Sequence, residues 1–123
     1  MRYMTDRKRA AGLGSAKSGT EHFWHMQVSS VALLFLIPAF IFTFGKVLGR
    51  KYEDVLEYYA HPFPAIVAAL TLIVGMVHFK NGAQVLIEDY AHGVTRKALI
   101  IAATCFSYGS IAIGLFALIK LAL

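Results

Sequence analysis

The sequence predicts an all-α membrane protein with three transmembrane helices. The chain has 123 residues, of which 58% are apolar and only 15% are charged. The apolar residues fall into three blocks, 28–48, 64–87 and 98–123. Each block is long enough to cross a hydrocarbon core of about 30 Å as a helix. No block alternates apolar and polar residues as a membrane-spanning strand does, so a small barrel is not expected.

The chain is interpreted as a single membrane-anchor domain over residues 1–123. We expect an N-terminal arm over 1–24 and spans over about 26–48, 63–88 and 97–122. These segments leave no room for a soluble catalytic domain. The first apolar run begins too late and is too long for a signal peptide.

The basic residues predict the orientation. Seven lie in the arm and the second loop: Arg2, Arg7, Lys8, Arg9, Lys17, Arg96 and Lys97. Four lie on the other side: Lys46, Arg50, Lys51 and Lys120. The positive-inside rule therefore predicts that the N-terminal arm and the second loop are cytoplasmic. We attribute the net charge of +5 to topology and to attraction by anionic lipid, and expect no nucleic-acid binding.

The first and third spans show structural features and no chemistry. Pro38 removes one backbone hydrogen bond from the first span, which predicts a kink or a local readjustment. In the third span, positions 103, 107, 110 and 114 carry small residues on one helical face, which permits close helix contact. Cys105, the single cysteine, is interpreted as a packing residue there.

The first loop shows a helical pattern. Val55, Leu56 and Tyr59 are spaced for one face of a helix, which we expect to lie at the membrane surface. His61 follows, just before a proline, and is expected to be a surface residue.

The second span contains the polar residues that point to function. His78 lies 14 residues after Pro64, roughly 20 Å into the span, where an ionisable residue is costly. Gly75 and Gly82 flank it and predict room for a flat, bulky group. Three interpretations remain open from the residues alone: haem ligation, proton relay and plain hydrogen bonding between helices. Lys80 lies on the opposite face, and the sequence does not assign it a role.

Residues 78–90, HFKNGAQVLIEDY, resemble the second span of the small membrane-anchor subunit of succinate:quinone oxidoreductase. In that family a histidine is followed by a glycine, then by Gln-Val-Leu, and after eleven residues by Asp-Tyr. The same pattern occurs here, and His78 is followed by Asp89 and Tyr90. The stretch 14–24, GSAKSGTEHFW, the three spans and the total length are similar to alphaproteobacterial members.

The resemblance implies a set of roles. His78 would be one axial ligand of a haem b, and a larger cytochrome b-type anchor subunit would supply the other. Tyr90 would hydrogen-bond a carbonyl oxygen of ubiquinone, and Asp89 would support that site. FAD and the iron–sulphur clusters would belong to a flavoprotein and an iron–sulphur subunit, because one cysteine cannot hold a cluster. The chain itself would then be a non-catalytic subunit of the oxidoreductase.

One position departs from the family. Relatives commonly carry an arginine shortly after the aromatic start of the first span, near the haem propionates or the quinone, and the nearest residue here is Gln27. A glutamine donates hydrogen bonds but cannot neutralise a propionate. A partner subunit, His22 or His25 would then supply the charge. Ser29 and Ser30 follow, and are expected to face the same cavity.

Three alternatives stay open. The first is a small transport or proton-relay subunit that uses His78 and Lys80. The second is an anchor of the same family that holds quinone without haem. The third is a fumarate reductase anchor that works in the reverse direction.

Overall fold

The computed structural model describes residues 5–13 and 19–123. These ranges contain five helices: α1 (Asp6–Leu13), α2 (Gly19–Gly45), α3 (Tyr52–Ala60), α4 (Pro62–Tyr90) and α5 (Gly93–Ala122). They contain no strand, which confirms the all-α class. The basic arm residues Arg2 and Lys17 lie outside the described residues.

The three long helices α2, α4 and α5 are each long and apolar enough to cross a membrane. This confirms the expected three spans. The helices begin before the apolar blocks do, and α2 runs from Gly19 to Gly45 rather than over about 26–48. Hydropathy marks only the part of a helix that suits lipid, whereas backbone hydrogen bonds continue into the polar residues next to it. The same hydrogen bonding carries α2 through Pro38 without ending the helix.

Helix α4 lies between the other two spans and packs against both α2 and α5. Because each span reverses the direction of the previous one, the start of α2 lies beside the end of α4. We call this the arm end, and the opposite side the far end. Thr71 of α4 contacts α2, since its hydroxyl lies 3.5 Å from the Leu36 carbonyl. The same hydroxyl donates a hydrogen bond to the Val67 carbonyl within α4 at 2.7 Å.

The α4–α5 contact uses the small residues that the sequence predicted. Ser107 is 1% exposed, and its hydroxyl donates to the Ala103 carbonyl at 2.8 Å. A side chain at Gly114 would collide with Leu72 of α4. Close approach of two backbones is how membrane helices gain packing energy without a hydrophobic driving force between them. The contact between α5 and α4 is therefore stabilised by close packing at small residues.

Short connections fix the helix ends. Only residues 91 and 92 separate α4 from α5, and Gly93 adopts φ +62°, a conformation that favours glycine. At the far end, Tyr59 of α3 is 6% exposed and packs with Val47 and Ala68. This confirms the helix expected in the first loop. His61 is exposed there, as predicted.

We expect Gly114→Val to destabilise the protein by about 1–3 kcal/mol, because the new side chain overpacks against Leu72. Gly109→Val is the matched control, since a side chain at Gly109 meets nothing within 4 Å and the two changes share the same helix and propensity cost. Thermal unfolding of the purified membrane complex measures the difference. Equal midpoints for the two variants would contradict the packing role of Gly114.

Candidate functional site

The imidazole of His78 contacts α2 through one hydrogen bond. Its Nδ1 lies 2.9 Å from the Oγ of Ser29, a residue that is 7% exposed. The same Oγ lies 2.9 Å from the carbonyl oxygen of Met26. The Met26 carbonyl also accepts a hydrogen bond from the Ser30 hydroxyl at 2.8 Å, so the hydroxyl proton of Ser29 can go either to Met26 or to the imidazole. When it goes to Met26, Ser29 accepts a hydrogen bond from the Nδ1–H of His78.

The direction of this hydrogen bond determines which ring nitrogen is available. With Ser29 as the acceptor, the imidazole proton is on Nδ1 and the Nε2 lone pair is the free ligand atom. Histidines that bind metals typically donate their other N–H in this way, which fixes the tautomer and the ring orientation. In that arrangement Ser29 orients His78 with Nε2 as the atom that can bind a metal.

A cleft of about 520 Å³ opens beside His78. We call it the His78 cleft, and it is lined by Ser30, Leu33, Leu34, Ile37, Pro38 and His78. Its walls are mainly apolar, as suits a flat hydrophobic group. Pro38 also leaves the Leu34 carbonyl without its helical donor. The expectation that Ser29 and Ser30 face one cavity holds in part, since Ser30 lines the cleft and Ser29 orients the histidine.

The room beside His78 does not come from the flanking glycines. Gly75 lines a separate apolar pocket between α4 and its neighbours. Gly82 faces α2, where a side chain would meet the tip of Met26 at 3.9 Å. The space comes instead from α2, at Ser30 and around Pro38. No sequence pattern predicts this space, because it depends on which faces of the two helices meet.

The remaining predicted site residues lie at the arm end and are open to the outside. Tyr90 is 81% exposed, and Asp89 is also exposed. Twelve residues separate Tyr90 from His78, roughly 18 Å along the helix axis. Gln27 is exposed on α2 and does not line the His78 cleft. The structure therefore does not bring these three residues together with His78.

An ion pair beside Tyr90 joins the two helices at this end. Glu88 lies 3.3 Å from Arg96 of α5 and accepts a hydrogen bond from Gln84 at 3.1 Å. These contacts tie the last turn of α4 to the first turn of α5. They hold the backbone that carries Asp89 and Tyr90, whose own side chains stay free for a partner. The sequence analysis did not identify this contact.

A second cavity, of about 520 Å³, lies between α2 and α4 at the arm end. We call it the arm-end cleft, and it is lined by Gly19, Glu21, His22, His25, Lys80, Asn81, Gln84, Val85 and Glu88. Unlike the His78 cleft, it is rich in polar side chains. Asn81, a polar residue in the middle of an apolar helix, could have indicated this cleft from the sequence, but the cleft was not predicted.

Lys80 reaches into this cleft from within the membrane-spanning part of α4. Its Nζ lies 5.8 Å from the centre of the Tyr108 ring, and no carboxylate of the described residues lies within 4.0 Å of it. A cation–π contact contributes about 0.5–2 kcal/mol. A lysine deep in a span costs about 2.5–3.5 kcal/mol. Most of that cost remains to be offset by other groups in the cleft.

The described residues contain no group of three or more His, Cys, Asp or Glu side chains that could hold a metal ion. Cys105 is exposed on α5 and lines neither cleft.

Comparison with known proteins gives a consistent result. The family model described as "Succinate dehydrogenase/Fumarate reductase transmembrane subunit" matches residues 1–117. The succinate dehydrogenase hydrophobic membrane anchor subunit of Paracoccus denitrificans is 48% identical over 123 residues, which cover 100% of this chain and 95% of that protein. The corresponding subunit of Rickettsia bellii is 34% identical over 103 residues, 80% of each chain. No solved structure matches the chain significantly.

Proposed function

Because the chain belongs to the succinate dehydrogenase/fumarate reductase transmembrane subunit family, we propose that this succinate dehydrogenase membrane anchor binds a haem b and ubiquinone together with partner subunits. It provides one axial ligand to the haem and part of the quinone site. Electrons from succinate oxidation reach quinone at that site. The chain crosses the membrane several times and carries out no chemistry on succinate.

The observation that supports the haem assignment is the Ser29–His78 hydrogen bond. In the proposed tautomer Ser29 accepts from Nδ1–H, which leaves Nε2 free inside the membrane-spanning part of the chain and beside an apolar cleft. These residues fit a haem on one side. Haem b, when bound, supplies a one-electron carrier within the membrane. His78 holds it, Ser29 orients His78, and the cleft wall keeps water away.

The second axial ligand belongs to a partner. The other histidines of this chain are His22, His25, His61 and His92, all in the first turns of α2 or next to the ends of α4 and α5. The proposed partner is the larger cytochrome b-type anchor subunit, which closes the open side of the His78 cleft. Gln27 donates hydrogen bonds to a propionate or to the quinone region from the exposed face of α2.

Tyr90 is the proposed quinone residue. Its exposed phenol donates a hydrogen bond to a carbonyl oxygen of ubiquinone at the arm end. Asp89 supports the site by hydrogen bonding or by helping protons to reach the reduced quinone. The iron–sulphur subunit delivers electrons there, and the flavoprotein subunit with FAD oxidises succinate. This arrangement requires the arm end to face the cytoplasm of a bacterium whose inner membrane holds the complex.

The transport and proton-relay alternative has no support from the arrangement of its two residues. His78 contacts Ser29 and lines the His78 cleft, whereas Lys80 lies near Tyr108 and lines the arm-end cleft. No direct hydrogen bond joins them among the described residues.

We expect His78→Leu to abolish the b-type absorbance of the purified complex, because the iron loses one axial ligand. The matched control is His61→Leu, which removes an exposed histidine at the far end and leaves the spectrum unchanged. A reduced-minus-oxidised difference spectrum measures both. An unaltered haem signal in His78→Leu would contradict the ligand assignment.

We expect Ser29→Ala to keep the haem but to raise its midpoint potential. Loss of the Ser29 hydroxyl, which accepts from the imidazole, makes His78 less basic. The oxidised iron is then stabilised less, and the midpoint potential rises. A hydrogen bond of about 1 kcal/mol corresponds to roughly 40 mV for one electron. Ser29→Thr retains a hydroxyl and should restore the potential.

Ser107→Ala is the control for this variant, since Ser107 is a buried serine that also donates to a backbone carbonyl but lies on α5. Redox titration of the complex measures all three. A wild-type potential in Ser29→Ala would remove Ser29 from the haem environment.

We expect Tyr90→Phe to lower ubiquinone reduction about tenfold, because one hydrogen bond to the quinone is lost. Succinate oxidation with an artificial electron acceptor should stay normal. Tyr52→Phe, which changes an exposed tyrosine at the far end, should affect neither rate. Normal quinone turnover in Tyr90→Phe would exclude the phenol from the site.

A further inference from the structure

The arm-end cleft contains polar groups that find no partner among the described residues. Asn81 is 6% exposed and lines the cleft, where its side-chain amide makes no hydrogen bond to any described residue and stays accessible from the cavity. The Nε2 of His22 is buried and also lacks a partner among the described residues. Buried polar groups in proteins nearly always have a hydrogen-bond partner, so each of these two needs one.

Lys80 also needs polar partners, and its charge makes their absence more costly. It lies ten residues before Tyr90, about 15 Å along the axis from the arm end of α4. Charged side chains at such positions face other charged groups or a water-filled cavity. No carboxylate of the described residues lies within 4.0 Å of Lys80, and the Tyr108 ring covers only one side of it. The remaining donors of its ammonium group point to a polar occupant of the cleft.

The groups around the cleft identify that occupant. Two carboxylates, Glu21 and Glu88, line it as well, the first beside His25 and the second beside Arg96. Because groups of both signs are present, the cleft does not favour a single anion such as a lipid phosphate. The polar groups inside include donors and acceptors, and a lipid tail would leave them all unsatisfied. Water satisfies both kinds of group, and a cavity of about 520 Å³ holds several molecules.

We propose that the arm-end cleft is a water-filled inlet that runs from the arm end of the membrane to Lys80 and Asn81. Water in it hydrates the lysine ammonium and completes the hydrogen bonds of Asn81 and His22. Asn81 lies three residues from His78, about 4.5 Å along the helix axis. The inlet therefore gives the aqueous phase access to the depth of the proposed ligand. The proposal does not depend on a haem at His78.

Cysteine accessibility in the complete membrane complex tests the inlet. In a Cys105→Ser background, Asn81→Cys is compared with Phe79→Cys, which has nearly the same depth but lies on an apolar face beside Phe106 with 48% exposure. The probe is a charged, membrane-impermeant methanethiosulfonate, added to vesicles of either orientation. Modification is read from the mass of this subunit alone.

We expect the cysteine at position 81 to react at least tenfold faster than that at position 79, and only from the arm end. Equal, slow reaction at both positions would overturn the proposal, since the cleft would then be filled by lipid or by a partner. Should Asn81→Cys fail to assemble, Gln84→Cys, nearer the arm end, is compared with Leu86→Cys on an exposed apolar face. The same two outcomes then decide the proposal.

Discussion

The register between α2 and α4 is the constraint on which the functional part of this chain depends. Polar groups in a span must find partners inside the protein, because lipid offers none. Ser29 and His78 satisfy one another only when their two helices align at this level. A slip by one turn would separate the two by about 5 Å and take the Nδ1 of His78 away from its partner, whereas Ser29 would keep its contact with Met26. The hydrogen bond therefore both depends on the register and helps to specify it.

The two faces of α4 that contact its neighbours differ in chemistry. Toward α5 it presents a mainly apolar surface, with Leu72 against Gly114, Phe79 near Phe106 and Lys80 beside the Tyr108 ring. Toward α2 it presents His78 and Asn81, and both clefts with polar residues lie on that side. A rigid contact on one face permits incomplete packing on the other. We therefore interpret α5 as the support that holds α4 while its opposite face stays open for ligands.

The sequence predicted the helical class, the three spans, the surface helix α3 and the small-residue face of α5, because each follows from periodicity or composition within one segment. It also singled out His78, since an ionisable residue in an apolar span is visible without a partner. Helix ends were less predictable, as α2 begins at Gly19. The His78 cleft and the arm-end cleft were not predictable, because they depend on how separate helices pair. Tyr90 was selected by a resemblance, and its 81% exposure by itself gives no sign of a site.

The exposure of the predicted site residues bears on how the subunit assembles with its partners. Tyr90 and Asp89 project from the arm end, Gln27 projects from α2, and the His78 cleft is open on one side. A phenol and a carboxylate acting on a quinone need that quinone to be enclosed, because bulk water competes for every hydrogen bond they make. The described residues leave Tyr90 and Asp89 open, so the proposed quinone site would need its walls from a partner. Ligand binding and subunit assembly are thus expected to be one event, in which the partner's surface desolvates groups that this subunit holds in place but leaves exposed.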